Sequence, residues 1–166
     1  MQKLMCTMAL VMLVSSFLFA DWGEDAKLTA SNGANGDLFG YSVSIDGDYA
    51  VVGAVQNDDN GVQSGSAYIF HWDGSAWSQQ AILVSSDITA FDSFGYSVFI
   101  DGDYVIVGVQ YDDDAGDSSG SAYIFHREGA SWTEQAKLTA LDATAGDCFG
   151  CSVSLSGDYA LIGAFG

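Results

Sequence analysis

Carboxylates are the groups in this chain best placed for chemistry. They cluster in two stretches, Asn57-Asp58-Asp59-Asn60-Gly61 and Asp112-Asp113-Asp114-Ala115-Gly116-Asp117. Calcium takes about six to eight oxygens from carboxylates and carbonyls on flexible loops. Asp58, Asp59, Asp112, Asp113, Asp114 and Asp117 are therefore the metal candidates, with calcium as the ion. Their spacing lacks the strict alternation of the EF-hand type of calcium loop, so solvated turn acids are the competing reading.

The remaining reactive types are sparse. Cys148 and Cys151 form a lone C-x-x-C with no second pair to complete a zinc site; simple substitution of ordinary residues and a local disulfide are the two readings. A catalytic histidine acts once, beside a nucleophile or ligand, yet His71 and His126 occupy matching places in two copies of one pattern. Trp22, Trp77 and Trp132 recur in the same way, which favours packing over a sugar-stacking surface. No nucleophile elbow, phosphate loop or zinc-protease helix is present. The chain reads as non-catalytic.

The elements that would position these residues come from a repeat. Phe39-Gly40, Phe94-Gly95 and Phe149-Gly150 lie 55 residues apart, and so do Gly47-Asp48-Tyr49, Gly102-Asp103-Tyr104 and Gly157-Asp158-Tyr159. Residues 26–80 align on 81–135 without a gap and agree at more than half of the positions. Within each copy, Tyr41, Val43 and Ile45 alternate with Ser42 and Ser44, the period of a half-buried strand. Asp46-Gly47 suits a tight hairpin. The spacing then predicts strands over 49–54, 66–72 and 77–84, and over 94–100, 104–109, 121–127 and 132–139 in the second copy. Four antiparallel strands at such a period describe one propeller blade, which must stack on neighbours to cover its faces. The fold class expected is all-β, as four-stranded β-propeller blades in an incomplete ring. Residues 21–30 supply a leading fourth strand, 31–85 blade 1, 86–140 blade 2 and 141–166 part of blade 3. The strands read from the sequence fall short of even a four-bladed ring, so the chain is expected to be a fragment, with further blades from a missing C-terminal part.

Charge and leader narrow the setting. A net charge of −18 repels phosphate backbones and excludes nucleic acid as a partner. Met1-Gln2-Lys3, the apolar run Leu4 to Val14 and Phe17-Leu18-Phe19-Ala20 read as a signal peptide over 1–20, cleaved after Ala20. No later stretch is long and apolar enough to span a bilayer. The mature chain is expected to be secreted, at the cell surface or in the periplasm.

At Phe39-Gly40 with Gly53-Ala54, Phe94-Gly95 with Gly108-Val109, and Phe149-Gly150 with Gly163-Ala164, the sequence resembles the FG-GAP repeat family, known from the propeller of integrin α subunits. Stretches such as Gly65-Ser66-Ala67-Tyr68-Ile69-Phe70 are similar to its secreted bacterial type. The resemblance covers 22–166 and implies a propeller that works as an extracellular binding or adhesion surface for a protein or glycan. The third GAP residue is Val55, Gln110 or Phe165, never Pro. The turns Asp46-Gly47-Asp48, Asp101-Gly102-Asp103 and Ser156-Gly157-Asp158 are too tight for the calcium loop of integrin-type repeats, which is therefore not carried over. An accessory propeller of a secreted enzyme and a structural envelope protein are the alternative roles.

Overall fold

The computed structural model describes residues 26–166. Ten strands form three antiparallel sheets, and no helix occurs among the described residues. Blade 1 comprises β1 (Phe39–Asp46), β2 (Tyr49–Ala54), β3 (Ser66–Trp72) and β4 (Trp77–Leu83) in spatial order β1-β2-β3-β4. Blade 2 repeats it with β5 (Phe94–Asp101), β6 (Tyr104–Val109), β7 (Ser121–Glu128) and β8 (Ser131–Leu138). A two-stranded sheet follows, of β9 (Ser152–Ser156) and β10 (Tyr159–Gly163). This is the all-β, unclosed blade architecture that the periodicity predicts, with strand limits shifted by a residue at most. The leading strand is the exception. Trp22 lies outside the described residues, and 26–30 are not in a strand.

The meander forms because each local choice agrees with it. Asp46 pairs with Tyr49 across a two-residue turn, and Gly47 takes φ 53 there, a left-handed value that glycine adopts without a Cβ clash. β2 and β6 are covered on both faces and accordingly read as continuous apolar runs. β1 and β5 begin with a bulge. The register jumps between Phe39 and Ser42, and between Phe94 and Ser97. The jump bends the strand start, and at β5 the backbone of Phe94-Gly95 stands out toward the preceding blade.

Packing between blades is the core. Val51, Ala67, Ile69 and Leu83 of blade 1 enclose Phe94, Val98, Ile100, Val105 and Val107 of blade 2 in one buried cluster. The contact recurs one blade on, where Ile106 and Ala122 meet Leu155, flanked by Val153 and Phe149. On the far side of blade 1, Leu28 and Ala30 pack on Val52, Tyr68 and Phe70, as Leu83 packs on the matching residues of blade 2. Residues 26–30 thus do the work of a preceding outer strand without forming one.

The Phe-Gly and Gly-Ala pairs meet at each blade junction. A Cβ on Gly53 would lie 2.1 Å from the Gly95 carbonyl oxygen, and one on Gly108 would lie 2.0 Å from that of Gly150. Ser42 and Ser97 donate their hydroxyls to those same carbonyls at 2.7 and 2.8 Å. Further bonds cross near the opposite end, where Asp46 accepts from Gly102 N–H at 2.8 Å and Asp101 from Gly157 N–H at 2.9 Å. Gly163 is the matching residue of the last sheet, and a Cβ there would crowd only the side chains of Ser152 and Cys151. Gly53→Ala should therefore cost about 3 kcal/mol by forcing blades 1 and 2 apart. Gly163→Ala should cost less than about 1 kcal/mol. Urea unfolding of both variants checks this, and equal losses would contradict the junction.

Candidate functional site

Antiparallel pairing puts the β2–β3 and β6–β7 loops, the β4–β5 connection and the starts of β1 and β5 at one end of the blades. The acidic loops fold around their own side chains. Asp58 accepts from Gln63 N–H at 2.7 Å, and Asp113 from Ser118 N–H at 2.8 Å. Asn57 and Asp112 each accept from the backbone two residues on, at 3.2 and 3.0 Å, the local bond that makes Asn and Asp turn formers. They also accept the hydroxyls of Ser66 and Ser121, at 2.9 and 2.7 Å. Asp117 accepts from the Ser118 hydroxyl, and Asp59 from the Asn32 amide.

Asp112 and Asp114 have a further partner that the sequence reading missed. The Lys137 ammonium, on β8, lies 2.8 Å from Asp112 and 2.9 Å from Asp87, and also touches Asp114. Tyr123 donates its buried hydroxyl to Asp87 at 2.9 Å and lies 3.3 Å from Asp112. Burial alone would raise the Asp87 carboxyl. Bonds from Ser85, Lys137 and Tyr123 outweigh it and hold the group down at about 2. Asp112 follows the same logic, its burial outweighed by Lys137, Ser121 and the Asp114 N–H, so its pKa is lowered too. For Lys137, burial opposes the charge and the carboxylates win, raising its pKa. A metal ion at Asp112 and Asp114 would have to displace this ammonium. Asp58 and Asp59 of blade 1 stand beside Asn57 and Asn32 and have no such lysine, because Ile82 takes the place of Lys137. Among the described residues, no three His, Cys, Asp or Glu side chains converge as metal ligands.

A second set of acids supports the loops from below. Asp37, Asp92 and Asp147 each accept the backbone N–H three residues earlier, from Ala34, Thr89 and Thr144. Burial raises the Asp92 pKa, against the bonds from Thr89. Their 55-residue spacing, two places before each Phe-Gly, was the available signal.

Aromatic groups fill the same end. Tyr41 and Tyr96 meet at a tilt with centroids 5.2 Å apart, and Tyr111 meets Tyr96 edge-on at 6.0 Å. The Tyr96 hydroxyl is pushed up to about 12, first by its hydrogen bond with Tyr41 and then by burial. Phe91 is 59% exposed and takes φ 75, where the other two copies have Gly36 and Gly146. A bulky side chain in that region is under strain. Cys151 takes the tyrosine position of the third copy. Its thiol and that of Cys148 are free and half-buried.

At the opposite end, His71 and His126 pair across strands with Tyr49 and Tyr104, each at 4.6 Å between centroids. Trp132 packs on the core between blades and donates to Gln80 at 3.0 Å. Trp77 packs on the outer face of blade 1 beside Trp72. Both histidines and the three described tryptophans therefore serve packing. Trp22 lies outside the described residues.

Stacked four-stranded blades, with bulged Phe-Gly starts seated on the glycines of the preceding sheet, define a repeat protein of the β-propeller type. The chain matches the FG-GAP repeat over residues 22–70, 77–125 and 132–166 and belongs to that family. No curated protein matches it. No helix among the described residues is long and apolar enough to cross a membrane.

The carboxylate nest sets an acid limit on stability. A lowered carboxylate pKa contributes stability that is complete above the ordinary value of 3.8 and is lost as pH falls toward about 2. Asp87 and Asp112 both act in this direction. Asp92, with its raised value, acts in the other and sheds a penalty on protonation. Stability of the folded chain should fall steeply below about pH 4, and urea midpoints measured across pH check it. Lys137→Met should cost about 3 kcal/mol at neutral pH by leaving Asp112 buried without its counter-charge. It should also flatten that acid limb. An unchanged limb in the variant would separate Lys137 from the effect.

Proposed function

We propose that the chain is a non-catalytic extracellular recognition module whose loop end binds a protein or glycan. FG-GAP repeats are typically extracellular propeller and adhesion modules, and the family assignment supports the class. The observation that carries the reading further is the aromatic and apolar platform of Leu38, Tyr41, Val62, Phe91 and Tyr111. All five are between 40% and 59% exposed. Acids surround this platform, but their oxygens are largely engaged with their own loops. An exposed aromatic held in a strained backbone is retained where surrounding structure over-determines it, and such residues gather at binding sites. Flat tyrosine rings suit both sugar faces and protein side chains, because each offers an apolar body with a polar tip.

The charge supports the same setting. At −18 the chain stays soluble and attracts basic partners through the field of its loops. The proposed leader, 1–20, precedes the described residues. Its removal would leave Asp21 as the first residue.

Protein recovered from the medium of cells expressing residues 1–166 should begin at Asp21 on N-terminal sequencing. It should bind a member of a panel of immobilised glycans and extracellular proteins. Phe91→Gly should weaken that binding about tenfold while the melting temperature holds or rises, since glycine relaxes the left-handed backbone. Binding undiminished in this variant would remove the platform from the reading. Retention of the protein in the cytoplasm would remove the compartment.

A further inference from the structure

A polar cavity of about 170 Å³ opens at the loop end of blade 1, lined by Asn35, Asp37, Gln56, Asp58, Val62 and Gln63. Both walls belong to blade 1: the turn before β1 and the β2–β3 loop. Gln56 N–H ties them together by donating to the Asp37 carbonyl at 3.1 Å. No neighbouring sheet forms either wall. Blade 2, with a sheet on either side, carries Phe91 and Tyr111 where blade 1 has Gly36 and Gln56. Both aromatics are still exposed, so this place faces solvent in an inner blade too.

The three copies differ at one hydrogen bond beside the cavity. In the second and third, the Thr89 and Thr144 hydroxyls donate to Oδ1 of Asp92 and Asp147, at 3.1 and 3.0 Å. The first copy has Ala34 at that position. Asp37 is only 6% exposed. Its Oδ2 accepts from Ala34 N–H at 2.8 Å and from the Asn57 amide at 3.2 Å. Among the described residues no group donates to its Oδ1. Buried polar atoms normally have a partner, and the partner this oxygen calls for is a hydroxyl, the group that threonine brings in the other copies.

We infer that the cavity is a binding site for a neutral saccharide, one of whose hydroxyls donates to Asp37 Oδ1 in place of the threonine hydroxyl. This rests on the reading of the loop end as a recognition surface and names a glycan as its ligand. The side-chain amides of Asn35, Gln56 and Gln63 each offer donors and an acceptor. Sugar hydroxyls, which both donate and accept, need that mixture. The volume suits a single sugar ring, since it lies below the roughly 300 Å³ at which drug-sized sites begin. Phe91 adjoins the cavity wall, its N–H donating to the Val62 carbonyl at 2.8 Å. An exposed aromatic beside a polar cavity serves the apolar face of a sugar ring. The carboxylates of Asp37 and Asp58 repel acidic sugars and leave neutral ones.

The test is saturation-transfer NMR and calorimetric titration of the purified chain with methyl glycosides of neutral hexoses, N-acetylhexosamines and uronic acids. A neutral glycoside should bind, and the uronates should not. Ala34→Thr, a residue that the same turn carries in the other two copies, should weaken that glycoside about tenfold or more. Its melting temperature should hold or rise, because Asp37 regains a partner within the chain. Binding of no glycoside, or equal binding by Ala34→Thr, would overturn the site. A protein ligand lost in Phe91→Gly but indifferent to Ala34→Thr, with no glycoside bound, would also overturn it and leave the proposed function standing. A glycoside lost in Ala34→Thr but held by Phe91→Gly would keep the cavity and remove the platform.

Discussion

The structure depends on one steric constraint, the contact of main chain with main chain at each blade junction. The carbonyls of Gly95 and Gly150 press against the α-carbons of Gly53 and Gly108, at a separation that no side chain could occupy. Gly65 and Gly120 meet the backbone of Phe94 and Phe149 just as closely, and bridge to them in parallel. Such a seat fixes the height and angle of each sheet on the one before, so Val98 and Ile100 fall into the hollow beside Val51 and Ile69. The apolar contact supplies most of the stabilisation, in proportion to area removed from water. The glycine contact decides where that area is removed. The family's two signature dipeptides are thus two halves of one joint, contributed by neighbouring sheets rather than by one.

The strands were legible because three independent signals agreed on them: period-two alternation, Asp-Gly turns and the 55-residue interval. The leading segment over 21–30 was less legible. Leu28 carries the same apolar message as Leu83, but a message of burial does not specify strand pairing, and no adjacent third strand is described for it to join. Residues 26–30 keep the packing and lose the ladder. The loop acids were legible as a cluster and not as a geometry. Nothing in a run of aspartates says that Asp58 and Asp113 turn inward to cap their own loops.

Lys137 was invisible for a different reason. Taken alone it is one polar residue on the last strand of a blade, and such residues are normally solvated. Its meaning emerges only when the two blades are compared position by position. Blade 2 has Lys137 with Asp87 and Asp112; blade 1 has Ile82 with Asn32 and Asn57. A cation and two anions are exchanged together for three neutral groups, as the cost of burying an uncompensated charge demands. Each blade is the other's natural variant, and the substitutions are coupled through a nest formed by two loops and a strand that lie far apart in sequence. Asp37, Asp92 and Asp147 belong to the opposite class: all three copies keep the acid, because all three loops need the same backbone donor satisfied.

The matched segments begin at Trp22, Trp77 and Trp132, and the second and third of them open on β4 and β8, the last strand of the preceding sheet. A unit of sequence therefore contains the outermost strand of one blade and the inner strands of its successor. Genetic duplication or loss of such a unit would leave every sheet whole, because the strand orphaned on one side of the event is replaced by its equivalent on the other. Neighbouring blades are meanwhile stitched together covalently by the chain, like overlapping roof tiles. An architecture of this kind can change its number of blades by recombination without passing through an unpaired intermediate.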